Sequence, residues 1–330
     1  MKIDASLITR DHLDAAKLAA DFENQGYDGV YTFEGPHDPF LPLSIACGST
    51  TSLELMTSVA IGFARNPMIL ANIGYDLQLM SKGRFILGLG SQIKPHIEKR
   101  FSMPWSSPAK RMGEMVSAIK AIWNAWQHDE PLNFRGEFYS HTLMTPFFNP
   151  RVNPFGLPKI FMAAVGPLML KAAAENADGV IIHPFHSSKS FHDLTLPSLG
   201  NRYKDQDFEI AIGLIIGLGS TQEEIDQAKL SCASQISFYG STPAYKGMLE
   251  VHGFEELHLE LNRLSKKGEW TKMRDIIPDE VLQEFAIIDT PAKAAKELLN
   301  RYHTKIARVQ PTIYTSQPEL QREFFHLIKE

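Results

Sequence analysis

The sequence has 330 residues, 44% of them hydrophobic and 22% charged, with a formal net charge of −5, a balance that excludes disordered, fibrous and strongly basic classes. No Lys/Arg block is long enough to mark a nucleic-acid surface; the longest apolar run, Ile210–Leu218, is too short to span a bilayer. The opening MKIDASLITRDH holds no apolar signal core, and Cys47 and Cys232 form neither a metal pair nor a disulfide framework, so a cytoplasmic chain with structural thiols is expected.

Lys2–Ile8 reads as a short strand, and Asp11 is placed to cap the alanine-rich helix Leu13–Asn24. Gly26 ends that helix before a second strand, Tyr27–Phe33, and the loop Glu34-Gly-Pro-His37-Asp38-Pro39 leads to a short apolar helix, Leu41–Cys47. Leu53–Ile61 is apolar without polar alternation, as suits a strand covered on both faces. Pro67 opens the next helix, in which Ile69, Ile73, Leu77 and Met80 recur at helical spacing, and Lys82-Gly83 stops it. Arg84–Leu89 is the strand that follows, ending in Gly88-Leu-Gly90. Two such strands around one helix form a parallel βαβ unit with a right-handed crossover.

After a polar loop, Ser91–Arg100, comes an aromatic patch of Phe101, Met103, Pro104 and Trp105. Ser106 or Ser107 then caps a long helix from Pro108, whose buried stripe is Met112, Val116, Ile119 and Trp123. Leu132–Tyr139 alternates around Gly136 as a small hairpin. Strand Lys159–Ala163, helix Pro167–Asn176 and strand Gly179–Ile182 restore the αβ rhythm before an irregular stretch, His183–Asp207. Phe208–Leu218 is the strongest late strand, Thr221–Tyr239 is helical, and Thr242–Phe285 is a mostly helical insertion. Thr290-Pro291 caps a helix to Tyr302; strand Ala307–Ile313 and helix Glu319–Ile328 close the order.

This rhythm predicts an α/β fold, a single (β/α)8 TIM barrel over 1–330, with a hairpin excursion near 131–150 and a helical insertion near 240–288 before the last strand. The rival is two open α/β domains meeting near residue 150, where composition does not shift. In a barrel, chemistry belongs at the carboxyl ends of the strands. Those ends hold no GxSxG, no Walker loop and no Cys–His setting. His183 and His186, three apart, would suit a mononuclear metal, but no carboxylate motif accompanies them and no metal is expected. Glycine, aromatic and amide character there suits a flat cofactor.

Several segments in order carry a resemblance: Gly26-Tyr-Asp-Gly-Val30, Thr57-Ser-Val59, Arg65-Asn-Pro67, Leu79-Met-Ser-Lys-Gly-Arg-Phe85 with Gly88-Leu-Gly90, Phe138-Tyr139, and Ala163-Ala-Val-Gly-Pro167 followed by Ala177-Asp-Gly179. The chain resembles the bacterial-luciferase-like superfamily of flavin- and deazaflavin-dependent oxidoreductases. The run Phe161–Pro167 is similar to its coenzyme F420 branch, which favours coenzyme F420 over FMN. The resemblance implies an enzyme acting on a small apolar or aromatic organic substrate, a homodimer, with no nucleic-acid or membrane partner. Two alternatives stay open: an FMN-dependent monooxygenase supplied by a separate flavin or F420 reductase, and a non-catalytic flavin-binding protein of the same fold.

The resemblance also implies roles. A non-prolyl cis peptide in the third strand, Ser58–Val59 here, backs the central ring of the cofactor, with Gly90 and His183 also at the cofactor. Its phosphate rests on the amides of Val165, Gly166 and Leu168, since Pro167 has no N–H; helix-start amides attract anions. Glu34 keeps the family's acid after the second strand, but Gly35-Pro36 intervenes before His37; both are catalytic candidates. The glutamate that follows the fourth strand in F420 dehydrogenases is missing from Ser91-Gln-Ile-Lys-Pro-His96, with no acid until Glu98. Lys94, His96 and Arg100 either meet an anionic cofactor tail or are solvated. Phe33, Phe40, Phe101, Met103 and Trp105 are expected on the substrate side.

Overall fold

The structure, a computed structural model, describes residues 1–302 and 306–329. Among these, eight strands form the ring: β1 (Lys2–Ser6), β2 (Gly29–Thr32), β3 (Glu54–Thr57), β4 (Phe85–Gly90), β5 (Lys159–Ala164), β6 (Gly179–Ile182), β7 (Glu209–Leu218) and β8 (Arg308–Tyr314). Each pairs in parallel with the next, and β8 pairs with β1, which closes a (β/α)8 barrel. Around it lie α1 (Ala15–Asn24), α2 (Phe40–Ser49), α3 (Pro67–Met80), α4 (Pro108–His128), α5 (Pro167–Asn176), α6 (Gln222–Gly240), α7 (Pro291–Tyr302) and α8 (Pro318–Lys329). The main apolar core lies between strands and helices, and a small second layer of Tyr31, Met56, Ile86, Phe161, Ile181 and Ala211 fills the barrel itself.

Local signals act mostly as the sequence predicts. Asp11 accepts the Leu13 amide at 2.9 Å, and Asn66 caps α3 through the Ile69 amide at 2.9 Å. Met112, Val116, Ile119 and Trp123 of α4 are buried. Ser107 stands at the cap position of α4 with φ +37° and no side-chain bond to the helix. The hairpin lies two residues later than expected: Phe134–Arg135 pairs antiparallel with Ser140–His141, so its second strand falls beyond Tyr139.

The stripe on α3 needs correction. Ile69 and Met80 are 47% and 50% exposed, whereas Leu70, Ala71, Gly74, Tyr75 and Leu77 are buried. Small residues set this face. The Trp123 indole donates to the Ala71 carbonyl at 2.9 Å, and a Cβ on Gly74 would stand 2.8 Å from the Trp123 ring. Close helix approach outweighs the periodicity of the larger side chains.

α6 is not the helix that returns β7 to β8. A short strand, Ile287–Asp289, runs parallel beside the end of β7, and α7 follows it. α6 packs its Cys232, Ala233 and Ile236 with Met248, Leu249, Leu261 and Met273 in a separate apolar cluster. The insertion therefore includes α6 and forms a cap whose apolar cluster also takes in Ile215 of β7 and Phe185 after β6. Periodicity does not reveal this, because a cap helix and a barrel helix both bury one stripe.

The floor is charged. Lys2, Glu54, Lys159, Glu209 and Arg308 are the first residues of β1, β3, β5, β7 and β8. Arg308 has no exposed side-chain surface; it binds Asp4 at 3.1 Å, pairs with Glu54, and lies 3.6 Å from Glu209. Burial disfavours its charge, but the carboxylates of Asp4 and Glu54 outweigh that and push its pKa up. Arg308→Leu strands these carboxylates without their cation, which typically costs about 3–5 kcal/mol. Denaturant unfolding of wild type and variant should show a loss of that size.

Candidate functional site

A cavity of about 830 Å³ opens at the carboxyl end of the barrel, a size usual for small-molecule and cofactor sites. One wall is set by register. Met56 pairs with Ile86 and Ala60 with Leu89, so residues 57–59 stand opposite only two residues, 87 and 88, of β4. The result is a bulge. The Thr57 hydroxyl spans it, donating to the Gly88 carbonyl at 2.8 Å and accepting the Gly88 amide at 2.9 Å. The Ser58–Val59 peptide is cis, and both residues border the cavity. Gly90 lies behind them: a Cβ there would come within 2.8 Å of Val59 Cγ2.

Two carboxylates hold the bulge from opposite sides. Glu34 Oε2 accepts the Ile61 amide at 2.7 Å and the Arg65 guanidinium at 2.5 Å, while Arg65 also reaches Asp38 at 3.0 Å. On the other side the Ser58 hydroxyl donates to Gln310 at 2.7 Å, and the Gln310 amide donates to Asp4 at 3.2 Å. Burial pushes the Asp4 carboxyl upward, opposed by Arg308. The bulge is thus tied to the floor charges through one glutamine.

A second wall is the start of α5. Gly166 is its cap residue with Pro167 next, and Val165 and Gly166 border the cavity. A Cβ on Gly166 would meet nothing within 4 Å. First-turn amides lack intrahelical acceptors, and with open space beside them they form a cradle for an anion. The Leu168 side chain is 76% exposed and outside the wall, so only its amide suits that role.

The third wall is aromatic. The His183 ring stacks on Tyr245 at 4.4 Å and meets Tyr239 edge-on at 4.5 Å. Its Nδ1 accepts the Phe185 amide at 3.1 Å, leaving the proton of the neutral ring on Nε2. Burial, with His186 nearby, lowers its pKa to about 3. His186 turns away, placing Nδ1 2.8 Å from the His183 carbonyl and packing edge-on against Tyr302. Among the described residues no group of three or more His, Cys, Asp or Glu is placed to hold a metal.

Of the residues singled out from sequence, the structure brings Glu34, Ser58, Val59, Gly90, Val165, Gly166 and His183 to one cavity. His37 is exposed, outside the wall, with its ring against His12 at 5.1 Å. Gly35-Pro36 carry it outward, and Arg100 holds the Gly35 carbonyl at 2.9 Å. Phe33 alone of the five expected substrate-side residues borders the cavity. Phe40 lies under Arg65 and Trp105 packs edge-on to Phe63, while Phe101 and Met103 rest on the main core. Lys94, His96 and Arg100 are also outside the wall, and Ser91 and Gln92 stand on it after β4.

Sequence reasoning missed Tyr31, Gln235, Tyr239, Tyr245 and Gln310. Gln310 carried a signal. Arg308, Gln310 and Thr312 alternate along the strand, which places their polar side chains on one face. Gln235, Tyr239 and Tyr245 carried none, because they reach the cavity from the cap.

Comparison with known proteins is consistent with this geometry. The family model described as luciferase-like monooxygenase matches residues 8–308. The chain belongs to this family. The uncharacterized protein Rv1360 of Mycobacterium tuberculosis is 47% identical over 97% of this chain and 95% of its own length. The 5,10-methylenetetrahydromethanopterin reductase of Archaeoglobus fulgidus is 28% identical over 82% of this chain and 80% of its own. The coenzyme F420 dependent tetrahydromethanopterin reductase of Methanopyrus kandleri shares the fold at TM-score 0.77 and 18% identity, covering 98% and 96% of the two chains. A luciferase-like family with such relatives makes the chain an oxidoreductase.

The two buried histidines predict acid sensitivity. Burial lowers His183 to about 3 and His186 to about 4, against about 6.5 in an unfolded chain. Between these values the unfolded state binds more protons, so stability falls as pH drops from 6.5 toward 4. His186→Gln should flatten this limb by up to about 1.4 kcal/mol per pH unit. Urea midpoints at pH 7, 5.5 and 4.5 measure it.

Proposed function

We propose that the chain is a coenzyme F420-dependent oxidoreductase acting on a small apolar or aromatic organic substrate. The observation that carries this reading is the placement of a bulged strand and a helix-start amide cradle around one cavity. The residues fit a flat cofactor with a phosphate: Ser58, Val59 and Gly90 back the ring, and the amides of Gly166 and Leu168 receive the anion. When bound, such a cofactor supplies hydride transfer. The chain supplies orientation and a water-poor pocket. Glu34 positions the bulge through Ile61 and Arg65, and His37 stays outside the chemistry. The coenzyme F420 dependence of the Methanopyrus kandleri reductase supports F420 over FMN.

One observation favours a second reading. Ser91 and Gln92 occupy the wall after β4, where no carboxylate is available for proton relay. An FMN-dependent monooxygenase fed by a separate reductase needs none there. Absorbance titration with F420 and FMN side by side separates the two. F420 should bind at least about tenfold tighter, a difference of 1.4 kcal/mol; the reverse order supports the monooxygenase.

Gly166→Glu tests the cradle. A carboxylate beside the phosphate brings like charges together, which costs several kcal/mol. The expected outcome is loss of cofactor binding with the circular dichroism spectrum intact. Affinity within a factor of two of wild type would place the phosphate elsewhere. Exposed Leu41 on α2 and Ile69, Leu79 and Met80 on α3 support a homodimer, for which light scattering should give twice the chain mass.

A further inference from the structure

We propose that the cavity has a second, apolar arm, which passes through the barrel wall between β1 and β8 and takes an unbranched aliphatic chain of the substrate. This deepens the oxidoreductase reading, whose substrate class it narrows, and rests on it. The first observation is a gap in the ring. β8 pairs with β7 along its whole length, from Arg308 to Tyr314, but with β1 only at Lys2–Arg308 and Ile3–Val309. The next link across the seam, from Gln310 to Asp4 at 3.2 Å, is made by side chains. Pro311 follows and has no N–H to donate; proline in a strand belongs at an edge. From Ala5 and Pro311 toward the mouth, the β1–β8 ladder has stopped.

The second observation is that the cavity is lined from both faces of these two strands. Asp4 meets Arg308 inside the barrel, so alternation puts Asp4, Ser6, Gln310 and Thr312 on the inner face. Ala5, Pro311 and Ile313 are then on the outer face, yet they border the same cavity. Phe22 of α1, Tyr27 after it and Gln321 of α8 border it too, and these stand outside the sheet. The cavity thus continues through the seam into the layer between strands and helices. There it ends on aromatic rings: Tyr27 stacks on Phe325 at 4.2 Å and meets Phe22 edge-on at 5.3 Å. The Tyr27 hydroxyl and the Gln321 side chain bond to each other, and no charged side chain joins them in the arm among the described residues. Burying hydrocarbon there is favourable, and burying a charge is not. Adjacent strands flank the passage, so a thin, unbranched chain suits it better than a ring. The cofactor contacts of the proposed reading lie at the ends of β3, β4, β5 and β6. The β8–β1 seam is across the ring from them, which leaves it to the substrate.

The test measures binding of 1-butanol, 1-octanol and cyclooctanol to the full chain by calorimetry, with and without the cofactor identified by titration. The two larger alcohols match in carbon count and differ in shape. Each buried methylene is worth about fourfold in affinity, so octanol should bind at least about thirtyfold tighter than butanol. It should also bind at least about tenfold tighter than cyclooctanol. Ala5→Leu and Ile313→Trp each add carbon to the arm. Either should weaken octanol at least about tenfold and leave butanol, cyclooctanol and cofactor affinity within about twofold. Phe22→Ala empties the blind end instead and should improve 1-decanol over octanol by about fourfold or more, which decides the matter if neither filled variant keeps its circular dichroism spectrum. Cyclooctanol binding as tightly as octanol, equal losses for all three alcohols, no loss for octanol, loss of cofactor affinity in a folded filled variant, or an unchanged chain-length preference in Phe22→Ala overturns the arm. Absence of octanol binding to a chain that takes up cofactor overturns the proposal alone. Failure to bind either cofactor overturns the underlying oxidoreductase reading instead.

Discussion

Arg308 lies wholly buried at the floor of the barrel, between carboxylates from three other strands, and the geometry of the mouth depends on it. Asp4, Glu54 and Glu209 stand on β1, β3 and β7, so one guanidinium ties together strands that are distant in sequence. Lys2 and Lys159 complete the ring by binding Glu54 and Glu209. Three cations thus meet three carboxylates. The balance is one of charge and not of every donor and acceptor, since the buried Arg308 Nε and Glu209 Oε2 lack a hydrogen-bond partner among the described residues, and the two lysines close the set from its solvent side. From Asp4 the network rises through Gln310 to the Ser58 hydroxyl. The bulge that shapes the cavity is therefore anchored to the floor and not only to its neighbours in the sheet.

Much of the barrel was legible in the sequence. Strands such as Arg84–Leu89 and Phe208–Leu218 read as continuous apolar runs because both their faces are covered. The bulge, the α5 cradle and the glycine behind Val59 were also legible, but through resemblance; Thr57–Ala60 by itself is an ordinary buried strand. Two kinds of feature were not. The buried face of α3 is set by Ala71 and Gly74, which give little periodic signal yet admit Trp123. The aromatic wall comes from α6 and the segment after it, whose amphipathic pattern serves a cap as well as it serves a barrel helix. His37 illustrates a third limit. Two intervening residues, Gly35 and Pro36, redirect a side chain that would follow Glu34 directly in the family pattern, and only the loop path shows it.

Floor and cap divide the labour of the site. The floor network and the β3–β4 register fix the wall that would back a cofactor, and neither involves the cap. The cap carries Gln235, Tyr239 and Tyr245 to the opposite side and packs on Met248, Leu249 and Leu261. Its cluster reaches the barrel at Ile215 and Phe185, near the mouth, while the floor ion pairs join only barrel strands, so side chains facing the cavity from 235–245 are free to change without disturbing the floor.

Charge placement follows the same division. Arg65 and Arg308 each approach a cavity carboxylate from behind the wall. Each carboxylate keeps its hydrogen-bonding role at the bulge while its field in the cavity is cancelled. Had either arginine faced inward, the mouth would carry a cation able to recruit anions, competing with the amides of α5 for a phosphate. Set behind the wall, the arginines leave those uncharged amides as the place where an anion is stabilised. Beside that cradle, after the neighbouring strand β6, the His183–Tyr245 pair adds a second neutral stretch of wall.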